Sequence, residues 1–163
     1  MIAVSSVAFL LSDGEKRRLR WVQAMRKYLT RLACVLRYEQ PELARLLLGV
    51  ELRATPQERL LTKLMQACAR QVQAGASPGL LFAAESAKLA EYGVLSEEDR
   101  QDFEAVLAEL GSLRLEEQLQ AILSAQERLR RREEELSREC VRRTRMIRTL
   151  GAAGGAAAFL ILI

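Results

Sequence analysis

Glu133, Glu134 and Glu135 are the densest group of carboxylates in the chain, the kind of cluster a divalent cation or an acid/base pair would use. They occupy consecutive positions of helix-like sequence, where neighbours diverge by about 100°, so a single helix cannot aim all three at one point. Arg130, Arg131 and Arg132 come just before them. The two blocks read as a solvated face of alternating charge, suited to pairs within the helix or to a charged partner. Glu85 and Asp99 are the other carboxylates an enzyme would enlist, and neither has a convergent set around it.

Histidine is absent, which removes the commonest general base, the usual metal ligand and the physiological pH switch together. Cys34, Cys68 and Cys140 are too far apart for a C-x-x-C pair and lie in helix-like sequence, so they read as buried free thiols of a reducing compartment. No phosphate-binding loop, nucleophile elbow or dinucleotide fingerprint occurs. The expectation is therefore a non-enzyme with no catalytic, cofactor-binding or metal-binding residues, no cofactor and no small-molecule substrate. Two basic stretches, Lys16 to Arg20 and Arg142 to Arg148, are able to meet phosphate. Both adjoin apolar termini, which favours lipid headgroups over nucleic acid. The net charge of +4, from 25 basic against 21 acidic residues interspersed along the chain, adds no nucleic-acid signal.

The elements that carry these residues are helical. Half the residues are hydrophobic but only 5% are aromatic, and Ala, Leu, Glu, Arg and Gln dominate, the strong helix formers. No period-two alternation of β-branched residues marks a strand. A chain of 163 residues can bury one core without metal or disulfide staples, so one all-α bundle of about five to six helices is expected.

Leu19, Val22, Leu29, Leu32 and Leu36, widened by Trp21, Met25 and Tyr28, recur at helical spacing and predict an amphipathic first helix over 15–36. A short second helix from Leu43 closes at Gly49, where glycine tolerates positive φ. Thr55-Pro56-Gln57-Glu58 reads as a capping box opening a third helix that stops at Gly75. Ser77-Pro78 opens a fourth, with Leu80, Leu81, Ala84, Ala87 and Leu89 facing inward and Gly93 at its end. Ser96 caps a fifth that carries Glu97, Glu98 and Asp99 in its first turn and ends at Gly111. Beyond Gly111 neither proline nor glycine appears before Gly151, and Leu115, Leu119, Ile122, Leu129, Leu136 and Val141 predict one long helix. Its stretch from Glu127 to Arg143 is so charged that the helix is expected to leave the bundle and bridge to something else.

That something is a membrane. Residues 150–163 carry no charge and finish in Phe-Leu-Ile-Leu-Ile, and counted back to Met146 the run spans about 27 Å, near the ~30 Å of a hydrocarbon core. Arg148 would snorkel, and Arg142, Arg143 and Arg145 form the basic flank. The soluble alternative is a buried terminal helix. Gly151 and Gly155 have the spacing of a close helix-packing seam, or are simply small residues of a weak anchor. Residues 1–11 are apolar but too short to cross; they dip into a membrane, pack on the domain, or are the remnant of a longer anchor. Basic residues adjoin both apolar ends, so residues 12–149 are expected to form a cytoplasmic bundle on one side of one membrane.

Three places resemble the stage III sporulation protein AB family. Tyr38 to Leu43, YEQPEL, is similar to its Y-x-x-T-P-L turn; Leu110-Gly111 with Gln118 resembles its LG-x-x-D-x-x-x-Q segment; and Met146 to Gly151, MIRTLG, with Gly155 beyond, resembles the approach to its last membrane helix. Arg114 stands where that pattern has an acid, as do Ala33 and Val35 in the first helix. The resemblance implies a helical bundle similar to the platform proteins of type II secretion and type IV pilus systems. It implies a site in the mother-cell membrane facing the forespore. The implied partners are the other proteins of a transenvelope sporulation channel, a secretion-type ATPase among them, together with membrane lipid. The competing expectation is a tail-anchored adaptor or a general secretion or pilus platform unrelated to sporulation.

Overall fold

The computed structural model describes the backbone of residues 2–39, 42–72, 75–90 and 96–162, and the side chains of residues 14–39, 42–72, 75–87, 96–146 and 149. Among these residues it is all-helical, with six helices and no strand: α1 (Ile2–Glu39), α2 (Leu43–Gly49), α3 (Pro56–Val72), α4 (Pro78–Ala90), α5 (Glu97–Glu109) and α6 (Leu115–Leu162). At ~1.5 Å per residue, α1 and α6 are about 57 and 72 Å long, and their mutual packing is the most extensive in the molecule. Glu15 pairs with Arg143 and Gln23 with Glu133, so the two helices run antiparallel.

The inward stripe of α1 is as its spacing predicts: Trp21, Val22, Met25, Tyr28, Leu29, Leu32 and Leu36 are buried and Leu19 is partly so. They meet Leu61, Met65 and Cys68 of α3, Phe103 and Leu107 of α5, and Ile122 and Leu129 of α6 in one core. At its centre Phe103 packs 4.9 Å from Phe82 and 6.0 Å from Tyr28, centroid to centroid, in tilted and edge-on geometry. The Tyr28 hydroxyl donates to the Leu47 carbonyl at 3.2 Å, so the polar end of this buried ring is satisfied.

The expected caps form. Thr55 Oγ1 accepts from Glu58 N at 3.2 Å and Glu58 Oε2 accepts from Thr55 N at 3.4 Å, the reciprocal capping box opening α3. Ser96 Oγ accepts from Asp99 N at 3.2 Å and opens α5. Gly75 and Gly111 follow α3 and α5 at φ of 89° and 82°, the left-handed region that glycine enters without steric cost.

Four expectations are corrected. The first helix starts at Ile2 rather than at residue 15, running helical through Ser12, Asp13 and Gly14. α2 does end at Gly49, but without a left-handed glycine cap: Gly49 is its last helical residue and the chain leaves through extended Val50. In α4, Leu80 is 70% exposed and Ala84 and Ala87 face solvent, while Phe82 and Ser86 are buried. Its residues are apolar on several sides, so periodicity selects no face. Close approach to α5 does, because a Cβ on Gly79 would fall 2.8 Å from Ala108 Cβ. The fourth correction concerns α6, which stays on the bundle through its charged middle, with Leu129 and Leu136 buried against it, although Val141 is 59% exposed. Leu89 and Gly93 lie outside the residues whose side chains are described.

Among the described residues, no helix is long and apolar enough to cross a membrane. The expected membrane segment 150–163, the apolar segment 1–11 and the side chain of Arg148 fall outside the described side chains.

Candidate interaction surface

The charged middle of α6 meets partners far away in sequence. Glu133 Oε1 accepts from Gln23 Nε2 at 3.0 Å, and its Oε2 lies 2.8 Å from Arg26 Nε. That last pair is close but out of line, and it leaves both atoms buried without a hydrogen bond. Glu134 pairs with Arg130, Glu135 with Arg132, and Arg128 with Asp102 at 2.9 Å. The three consecutive glutamates therefore turn to three different partners, as their divergence on a helix requires. Among the described residues no three of Asp, Glu, His and Cys gather as a metal ion would need.

Asp99 lies at the junction of α1, α5 and α6. It is 2% exposed, and its Oδ2 accepts from Arg18 Nε at 3.0 Å and from Ser96 Oγ at 2.5 Å. Oδ1 accepts from Arg132 Nε at 3.3 Å, while Arg132 also reaches Glu98. Arg18 Nη2 donates to Ser96 Oγ at 2.9 Å, completing a ring of charge-assisted bonds. Its sequence signal, the Ser96 cap, identified the helix start but not the two arginines.

A second cluster lines an open groove of about 710 Å³ between α1 and the connection from α2 to α3. Arg26, Lys27, Thr30 and Arg31 of α1 line it together with residues 51–54 and Glu58 of α3. The connection is held in place by Thr62, whose hydroxyl accepts from Leu52 N at 3.0 Å and donates to Leu52 O at 3.1 Å. Lys27 Nζ lies 2.7 Å from Glu58 Oε1. That bond holds the Glu58 carboxyl below the ordinary carboxylate range, against the opposing effect of burial and with help from the Ala54 and Thr55 amides. Arg31 Nη1 donates to the Glu51 carbonyl at 3.0 Å, and Arg53 pairs with the Glu51 carboxylate on the surface. Sequence reading passed over this cluster because Arg53 comes from a separate segment; the hint was three cations within six residues on the outward side of α1.

The cysteines divide. Cys68 is buried, and burial, reinforced by the charge of Glu85, pushes its thiol up to about 11. Cys140 is half-buried and its thiol is raised, mainly by burial. Cys34 is exposed, contrary to expectation, because it lies on the side of α1 opposite the Leu32–Leu36 stripe. Glu85 is partly buried on α4. Arg142, Arg143 and Arg145 are exposed near the far end of α6, with Arg143 Nη1 2.8 Å from Glu15.

No curated protein matches this chain, and no solved structure does. A family model described as stage III sporulation protein AB matches residues 1–163, the whole chain, and the chain belongs to that family.

Proposed function

We propose that this member of the stage III sporulation protein AB family is a non-enzymatic, membrane-anchored platform subunit. It would help assemble the transenvelope channel between mother cell and forespore and dock a secretion-type ATPase and other channel proteins. One observation carries the reading: α1 and α6 are antiparallel, and beyond the Glu15–Arg143 pair the start of α1 and the end of α6 run on in the same direction. The sequence at both of those ends is apolar, and basic residues come just inside each. Two apolar ends on one side of a charged bundle suit anchorage in a single membrane, with residues 12–149 on its cytoplasmic face. The mother-cell membrane facing the forespore is the site that family membership favours. The surface of the bundle is dense in ion pairs and its grooves are open, an arrangement fitted to protein contacts rather than to enclosing a substrate.

The test is fluorescence localisation of a tagged full-length copy in its native host, from vegetative growth through engulfment. Signal confined to sporulation and lining the engulfing membrane is expected. A uniform envelope signal in growing cells would shift the reading to a general secretion or pilus platform, and a diffuse cytoplasmic signal would overturn the anchor.

A further inference from the structure

We infer that the groove between α1 and residues 51–54 is a docking site for an acidic segment of a partner protein, a deepening that rests on the platform reading above. Arg26 is matched by Glu133 of α6 and Lys27 by Glu58, which leaves Arg31 and Arg53 facing the single carboxylate of Glu51, so the groove keeps a net positive charge. Glu58 is committed to the α3 cap and to Lys27. Glu51 is not so held: it and Arg53 are exposed, 44% and 80% at their side chains, and exposed pairs of this kind exchange partners at little cost. An incoming carboxylate can take Arg53 and the remaining donors of Arg31 without breaking a buried bond.

The position of the groove selects a protein over a lipid surface. From Gly14, at ~1.5 Å per residue, Arg26 and Arg31 stand roughly 18 and 25 Å farther along α1. That is two to three Debye lengths at physiological salt, ~8 Å each, too far for headgroups at the apolar ends to reach. A free phosphate is a poor match as well, because the Ala54 and Thr55 amides that could cradle it already serve Glu58. Cations spread over two segments along an open groove fit an extended or helical segment bearing several Asp or Glu residues.

The experiment places a photoreactive phenylalanine analogue at Thr30, an exposed position in the groove, in the full chain in sporulating cells, with a second copy labelled at exposed Arg70 on α3 as control. Cross-linked peptides are sequenced by mass spectrometry, with and without the double reversal Arg31→Glu and Arg53→Glu. Expected is an adduct at Thr30 whose peptide is rich in Asp and Glu and whose yield falls at least tenfold on reversal, while the Arg70 pattern is unchanged. Any of four results overturns the proposal: a Thr30 adduct that survives reversal, a captured peptide without acidic excess, an adduct to lipid, or no adduct at Thr30 in cells that localise the chain normally. The localisation experiment fails separately, so loss of the groove and loss of the platform reading are told apart.

Discussion

Replacing Asp99 by Asn tests whether three helices are joined through one buried carboxylate. The change keeps shape and removes the charge that faces Arg18 at 3.0 Å and Arg132 at 3.3 Å. Breaking a fully buried ion pair costs about 3–5 kcal/mol, because the surviving charge is stranded. Here only Asp99 is buried, at 3% side-chain exposure, while Arg18 and Arg132 are 31% and 33% exposed and water recovers part of the loss. The expected cost is thus about 2 kcal/mol. Urea unfolding of the full chain in mild detergent, followed by far-ultraviolet circular dichroism, reads this as a midpoint lower by about 1 M for a slope near 2 kcal/mol/M. Asp102→Asn is the matched control on the same helix: its pair with Arg128 is 40% and 47% exposed at the two side chains, and its loss should cost under about 0.5 kcal/mol. A cycle adding Arg18→Met should return coupling of about 1 kcal/mol or more, since the two groups share one network. Asp99→Asn within about 0.5 kcal/mol of the parent, or no worse than Asp102→Asn, would mean that the buried carboxylate does not join the three helices.

Three further outcomes are expected. Gly79→Ala should destabilise by about 1–3 kcal/mol in the same urea assay, despite the better helix propensity of alanine, because the new Cβ meets Ala108 Cβ at 2.8 Å and its backbone Cα and N at 3.0 Å; Ala108→Gly should not restore the loss, because the backbone contacts remain. Glu58 has a depressed pKa, so its stabilising contribution is complete above the ordinary carboxylate value of 4.5 and is lost as pH falls through its lower folded value. The parent should accordingly lose more stability than Glu58→Gln when unfolding midpoints at pH 7 and below pH 4.5 are compared, and equal losses would remove the Lys27–Glu58 link. In thiol titration of the folded chain near neutral pH, Cys34 should react first, and Cys68, buried with its thiol pushed up to about 11, should react only on unfolding. Rapid labelling of Cys68 in the folded state would contradict its burial.

Helix boundaries were legible wherever a local hydrogen bond or a backbone angle sets them. Thr55 and Glu58 satisfy each other within one turn, Ser96 reaches an amide three residues on, and Gly75 and Gly111 take angles that other residues resist. The inward face of α1 was legible too, because its apolar residues occupy one side only. The start of α1 was less legible: its amphipathic spacing begins at residue 15, whereas the helix begins at Ile2, because the weak turn preference of Ser12, Asp13 and Gly14 is outweighed by continued helical hydrogen bonding.

The all-helical class, the caps and the principal amphipathic stripes are written locally in the chain, since each depends on residues within a few positions of one another. Packing between helices sets the rest: α4 turns Phe82 inward and Leu80 outward, a choice that rests on Gly79 meeting Ala108. The charged stretch of α6 likewise remains on the bundle because Glu133, Arg132 and Arg143 find counter-charges on elements some thirty to more than a hundred residues away. The basic groove has the same origin. Arg31 and Arg53 become neighbours only when Thr62 pins the connection beside α1, and a pairing made through folded contacts leaves no periodic trace in the chain.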